Sequence, residues 1–487
     1  VVNSKPEVIY VGAAGGGVWK SQSAGALFTP VFDEHTQSIG KVTIDQNHPD
    51  TVWVGTGETW VRNSVSVGDG IYKTTDGGSS WKNMGLKDSE RISDIIVDPT
   101  NSNIVYVGVL GHLWNDHEER GVYKTTDGGE TWVKLLYVNP QTGCADLTMD
   151  PEDPNTLYAA MWDFRRTPYS FRSGGPGSGL HKTTDGGKTW AKVTQGLPKG
   201  TLGRLAVEIA PSNRNIIYLS VEADKEEEKG LYRSDNAGES FALVNSDFNN
   251  KVRPFYFARL TVSPSNEKIV YKCGLQLIMS EDSGATFKII DSGMHSDIHA
   301  VWIHPTDSKI NIAGTDGGLY RTLDNGNTYT MFMNLPLAQY YHVSVDMEEP
   351  FNIYGGLQDN GSWRGPSKSK GGIASKDWQF VLGGDGFAAH VDSEDKNVVY
   401  AEAQGGEISR VNLLSADSKD IKPYPRVGEA DFRFNWNAPI HKSPSNPKRL
   451  YFGSQFLFMS EDKGESWKRL SPDLTTNDPA RQQQKQS

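Results

Sequence analysis

The sequence predicts an all-β chain, a β-propeller of about ten four-stranded blades. Three observations carry this. A hairpin of the form S/T-x-D-x-G-x-x-W/F/Y recurs along the chain. The segments around it alternate apolar and polar residues with period two, not 3.6. The composition, with 51 Gly, 13 Trp and 19 Tyr in 487 residues, suits many short strands joined by tight turns.

The hairpin is clearest in IYKTTDGGSSW at 71–81, VYKTTDGGETW at 122–132 and LHKTTDGGKTW at 180–190. Looser copies begin at 231, 277, 319 and 457, a decayed copy begins at 18, and strand-like segments near 362 and 407 occupy two further slots. Each unit holds four short runs, as in SIGKVTID, TVWVGTGE, GIYKTTD and WKNMGL, read as strands A to D. A single sheet of this kind cannot bury both faces, so successive units must stack radially. The motif aspartates Asp76, Asp127, Asp185, Asp235, Asp282, Asp324 and Asp462 are expected to accept nearby backbone N–H groups. The following Gly supplies φ > 0, and the closing aromatic plugs the seam between blades. Seven equivalent carboxylates cannot all be one active site.

A net charge of -11 spread without a basic run argues against nucleic acid as a partner. No apolar run approaches the ~20 residues of a membrane helix. Cys144 and Cys273 lie in apolar runs and read as two buried free thiols. No G-x-S-x-G elbow, P-loop or H-E-x-x-H occurs, and no regularly spaced ligand set appears, so neither a cofactor nor a metal is expected.

Strand direction alternates, which puts the motif hairpins on one face and the B–C and D–A loops on the other. Long B–C insertions at 57–70, 111–121 and 162–179 place Trp60, Arg62, Asn63, His112, Trp114, Trp162, Arg165, Arg166 and Phe171 on one rim, as candidates for ligand binding. A second cluster falls at the inner ends of later blades: His295, Asp297, His299, Asp316, Gln358, Asp359, Asn360, Asp385, Gln404, Arg433, Asn435 and Asn437. A glycosidase needs two carboxylates across a sugar cleft, and Asp297, Asp316, Asp359 and Asp385 are the candidates. The three insertions are expected to form one wall beside that cluster, on the loop-rich face.

Together with VGAAGGGVWK, GLQDNGSWRGP, GGDGF and SPDLTTNDP, the hairpins make the chain resemble, over essentially its whole length, a bacterial family of sortilin-like, BNR-repeat (Asp-box) propellers. Members are often labelled glycosyl hydrolases, because the Asp box also marks sialidases and two-propeller xyloglucanases. The resemblance implies an exported protein, whether secreted, periplasmic or on the cell surface, and repeats enough for two seven-bladed rings. Val1 and Val2 read as the tail of an A strand, and RQQQKQS ends the chain in polar residues. The expected organisation is therefore a first propeller over 1–335, with about seven blades and the first incomplete, and three blades of a second over 336–487. The alternative is one ten-bladed ring, as in sortilin. Two functions are carried forward. One is a binding or scaffold propeller that takes a peptide, protein or glycan on its loop-rich face. The alternative is a glycoside hydrolase with paired aspartates.

Overall fold

A computed structural model describes residues 1–62 and 65–482 of the chain. The described strands assemble into ten antiparallel meander sheets, nine of them ordered A-B-C-D and the first with three strands. Numbered in chain order, blades 1 to 7 fall at 9–30, 39–83, 92–136, 142–193, 202–245, 260–289 and 298–331. Blades 8 to 10 fall at 340–382, 386–420 and 440–469. The chain folds as two compact units, Val1–Leu335 and Pro336–Gln486, so the first holds blades 1 to 7 and the second holds blades 8 to 10. No helix among the described residues is long and apolar enough to cross a membrane.

In the first unit every seam between neighbouring blades carries its own apolar cluster. Val18 and Phe32 of blade 1 and its D–A loop meet Val52 and Val54 of blade 2. At the far end, Ile312 and Leu319 of blade 7 pack on Ile9 and Phe28 of blade 1. Arg321 donates to the Ala24 carbonyl across the same seam. Blade 7 therefore packs against blade 1. This contact covers the apolar end faces an open array would expose. The second unit carries two seam clusters, one around Tyr354 and Val399 and one around Tyr400 and Phe452.

Blade 1 has three strands, Ile9–Ala13, Gly17–Ser21 and Thr29–Pro30. Val2 does not extend a strand of this sheet. It makes one bridge with Lys5 and is buried in the seam with blade 2.

The repeated hairpin is a hydrogen-bonded knot. Asp76 Oδ1 accepts from the Ser80 amide at 2.9 Å and from the Thr74 hydroxyl at 2.7 Å, and Thr74 Oγ1 accepts from the Gly78 amide at 3.0 Å. The Ser80 and Thr74 hydroxyls hold the Asp76 carboxyl well below the usual range. Gly77 and Gly78 take φ of +70° and +95°, where a glycine costs no steric strain. In the blade 5 copy the expected Asp235 is displaced by one residue. Asn236 Oδ1 accepts from the Ser240 amide and the Ser234 hydroxyl, while Asp235 points away and pairs with Arg233. The closing aromatics are mostly half-buried, yet they do lace the seams: Trp81, Trp132 and Trp467 donate to the carbonyls of Val31, Met84 and Ile421 on the preceding blades.

A second recurring device governs the inner strands. Their pairing slips at the first residues in blades 2, 3, 4, 5, 7, 8 and 9. Such a bulge leaves one or two residues unpaired and re-aims their side chains. Arg204, His299 and Tyr341 occupy these positions. Cys144 and Cys273 are buried free thiols.

Candidate functional site

The inner strands of blades 2 to 6 carry charged residues towards the axis of the first unit. Lys41, Asp94, Asp146, Glu208 and Arg259 line a bore of about 740 Å3 together with Trp302. Its other lining residues, among them Asp45, Pro99, Met149 and Pro305, sit at A–B turns, so the bore opens on the Asp-box face. A second concavity of about 600 Å3, between Phe32, His35 and Trp81, lies on that face too. At the opposite, loop-rich end the bore is covered by a loop.

The plug is the B–C loop of blade 2, which reaches across to blades 5, 6 and 7. Arg204 donates to the Thr59 carbonyl at 3.2 Å and to the Phe255 carbonyl at 2.7 Å, and its guanidinium stacks 4.2 Å from the Trp60 ring. His299 lies 5.1 Å from the same ring, and Arg259 stacks on it at 5.7 Å from the bore side. Trp60 is therefore enclosed by its neighbours and is not a free platform. Burial lowers the Arg204 guanidinium to about 9, with the like charge of Arg259 adding to the effect.

Around this plug lies a dense polar cluster. Arg62 pairs with the buried Glu58 at 2.9 Å. Burial works against the charge of both groups, yet Glu58 keeps Arg62 above its ordinary value. The Tyr256 hydroxyl donates to Asp316 Oδ2 at 2.8 Å, and His299 Nε2 lies 3.0 Å from Asp316 Oδ1. Burial opposes ionisation of Asp316, but His299, Tyr256 and Arg62 outweigh it and hold the carboxyl below its usual value. Asp297 is 9% exposed, and its Oδ1 has no hydrogen-bond partner among the described residues. Burial, with the charge of Asp316 beside it, pushes its carboxyl up. A carboxylate oxygen of Asp297 lies within 4.8 Å of one on Asp316. Asp297 also adopts φ +62°, a conformation that costs a non-glycine residue energy and that clusters at functional sites.

The outer rim of blades 3 and 4 differs from expectation. Residues 162–179 do not form a loop: Leu157–Thr167 and Ser170–Ser173 pair as a projecting hairpin. Trp162 and Arg166 are buried, which withdraws both from ligand contact. Trp162 packs in an apolar layer with Val61, Leu110 and Phe164, and Phe171 lies beneath the Arg166 guanidinium. Trp114 remains 42% exposed. Arg165 steadies it by donating to its carbonyl at 3.1 Å while pairing with Asp116. His112 stacks on His117 at 3.7 Å and meets Asn115 and the Asp88 carbonyl, a brace within the loop. Asn63 lies outside the described residues.

The candidates of the second unit form a polar network. The Asp359 amide donates to Asp385 Oδ1 at 2.6 Å, the Asp385 amide to Gln404 Oε1 at 2.8 Å, and Gln358 Nε2 to Asp359 Oδ2 at 3.1 Å. Asn360 donates to the Gln358 carbonyl. Arg433 pairs with Asp473 at 2.6 Å, and the Asn437 amide meets His342. Asn435 is exposed. Sequence reasoning missed Glu58, Arg204 and Tyr256. The signal for Arg204 is the bulge at the start of its strand, which an alternating pattern does not reveal.

Comparison with known proteins agrees with the resemblance carried by the Asp boxes. A family model described as "Sortilin, neurotensin receptor 3" matches residues 69–228. A xyloglucanase of Acetivibrio thermocellus is 24% identical over 347 residues, 60% of this chain and 38% of that protein. A probable oligoxyloglucan-reducing end-specific xyloglucanase of Neosartorya fischeri is 23% identical over 95% of this chain and 62% of its own length. The chain thus spans less than two thirds of these relatives. Among solved structures, the GH74 xyloglucanase of Xanthomonas campestris superposes with a TM-score of 0.56 at 13% identity, over 95% of this chain and 78% of that one. PorZ, a surface component of the type-IX secretion system of Porphyromonas gingivalis, gives 0.52 over 96% and 58%. Both show a shared propeller fold.

Proposed function

We propose that this chain is a glycoside hydrolase whose substrate is a xyloglucan-type glucan, with Asp297 as general acid and Asp316 as its ionised partner. The supporting observation is the divergence of two neighbouring carboxyls. Asp297 is pushed up and Asp316 is held down, and such pairs divide the acid and base roles of a reaction between them. In this reading Asp297, whose burial and neighbour Asp316 favour its acid form, supplies the proton that the leaving glycosidic oxygen takes up. Asp316, fixed by Tyr256 and His299, faces the positive charge that develops at the anomeric carbon. The xyloglucanase relatives favour this class of substrate. In the same reading, 1–335 and 336–487 are two propeller domains, and the protein acts outside the cytoplasm, where such polysaccharides lie.

The exposed, steadied Trp114 favours a second reading, glycan binding without turnover. Reducing-end release from xyloglucan separates the two. Turnover by the parent that is lost in Asp297→Asn and Asp316→Asn supports the hydrolase. Binding of the polysaccharide by a parent that releases no reducing ends supports the second reading.

A further inference from the structure

Of the 13 tryptophans, Trp114 and Trp436 are the exposed ones, and Trp436 is the more open at 56%. It lies in the D–A connection between blades 9 and 10, within the second unit. Loose chain does not account for this exposure, because the segment is fastened at each step. The Arg433 amide donates to Gln455 Oε1 at 2.8 Å, and the Gln455 amide returns a bond to the Arg433 carbonyl at 3.1 Å. The Arg433 guanidinium is held by Asp473. The Trp436 carbonyl accepts from the Gly405 amide at 3.0 Å, and the Ala438 amide donates to the buried Glu402 at 2.6 Å.

The other aromatic rings of the loop are packed, whereas the indole is not. Phe432 stacks within 4.9 Å of Phe458, and Phe434 within 5.4 Å of Phe452, so both rings are anchored in the blade 10 sheet. Asn435 and Trp436 are exposed, while the Asn437 side chain is engaged with His342. Leaving a large apolar ring in water forgoes the free energy its burial would supply. A fixed ring beside the exposed Asn435 amide offers what a pyranose needs: a flat apolar face for its C–H edge and hydrogen-bonding atoms for its hydroxyls. Prior fixing of the loop reduces the ordering cost of binding.

We propose that Trp436, with Asn435 beside it, is a sugar-stacking subsite for a polysaccharide chain. The proposal rests on the reading that the ligand is a glycan. It concerns binding, so it is tested in an Asp316→Asn background, by affinity electrophoresis through gels containing soluble xyloglucan. Trp436→Ala is expected to weaken retention about fivefold to tenfold, and Trp436→Phe to retain most of it. Equal thermal midpoints for the variants show that the fold is intact. Unchanged retention in Trp436→Ala, or equal loss in the Ala and Phe variants, overturns the subsite. Retention that depends on Trp436 while Asp316→Asn still releases reducing ends overturns the catalytic assignment alone. A parent that binds no polysaccharide overturns both.

Discussion

Asp297 and Asp316 bring carboxylate oxygens within 4.8 Å of each other, and the Asp316 amide donates to the Asp297 carbonyl at 3.1 Å. Their surroundings nonetheless drive them apart in ionisation. Asp297 is buried with an unsatisfied oxygen, whereas Asp316 is served by a tyrosine hydroxyl and an imidazole, with Arg62 nearby. Like charges at this distance disfavour double ionisation, so the better-solvated member takes the charge.

The first prediction is a bell-shaped pH profile for reducing-end release. The alkaline limb belongs to Asp297, which must carry its proton, and the acid limb belongs to Asp316, which must have lost its own. Asp297→Asn is expected to lower kcat by about 10²-fold or more and to abolish the alkaline limb. An alkaline limb that survives in this variant assigns the proton to another group.

Tyr256→Phe removes one donor to Asp316 and leaves the ring in its packed position. The Asp316 carboxyl then moves up towards its ordinary value, so the acid limb shifts to higher pH. Stability is expected to fall by about 1 kcal/mol, the typical worth of one hydrogen bond. A stability loss without any shift of the acid limb means that Asp316 does not govern that limb.

The blade 5 hairpin yields a sharper test of the repeat. Asn236 accepts the bonds that aspartate accepts elsewhere, and Asp235 is an exposed partner of Arg233. Asn236→Ala is expected to cost about 1–2 kcal/mol, as loss of a local side-chain cap does. Asn236→Asp restores the common motif and is expected to change stability by less than about 0.5 kcal/mol, as is Asp235→Ala. Chemical denaturation of the three variants distinguishes position 236 from 235.

That one-residue offset shows where sequence reading works and where it stops. Repetition made the blades legible, because Thr74, Asp76 and Trp81 recur with fixed spacing and each has a local role. In LYRSDNAGESF the nearest acid drew the assignment, although hydrogen bonding selects by distance from Ser234 and Gly238. The loop residues were legible as loop residues, but not as exposed or buried. Trp162 and Trp114 look alike in sequence, yet a β-hairpin extension carries one into an apolar layer and leaves the other in water. Glu58, Arg204 and Tyr256 converge from blades 2 and 5 and the segment before blade 6, and nothing in local patterning connects residues so far apart.

The last prediction concerns the bore of the first unit. Glu208 and Asp146 line it with Asp94, Lys41 and Arg259, and Lys41 is paired with Asp94 at 2.7 Å. Burial in the bore wall, reinforced by Asp146, pushes Glu208 up to about 8. Burial, reinforced by Asp94, pushes Asp146 up to about 7. In the unfolded chain both groups titrate near 4. The folded state therefore holds extra protons between about pH 4 and these raised values, and stability falls as pH rises through that window. Below about pH 4 both states are protonated and the contribution is complete; above the folded values it is gone. Each carboxyl contributes a slope of at most about 1.4 kcal/mol per pH unit. Glu208→Gln keeps the shape and removes the titration, so it should flatten the decline between about pH 5.5 and 7.5 and stabilise the protein most at the upper end. Chemical denaturation at those two values measures this. A variant whose stability falls as steeply as the parent's would show that Glu208 is already ionised in the bore, balanced by Arg259 and Lys41 more fully than their positions indicate.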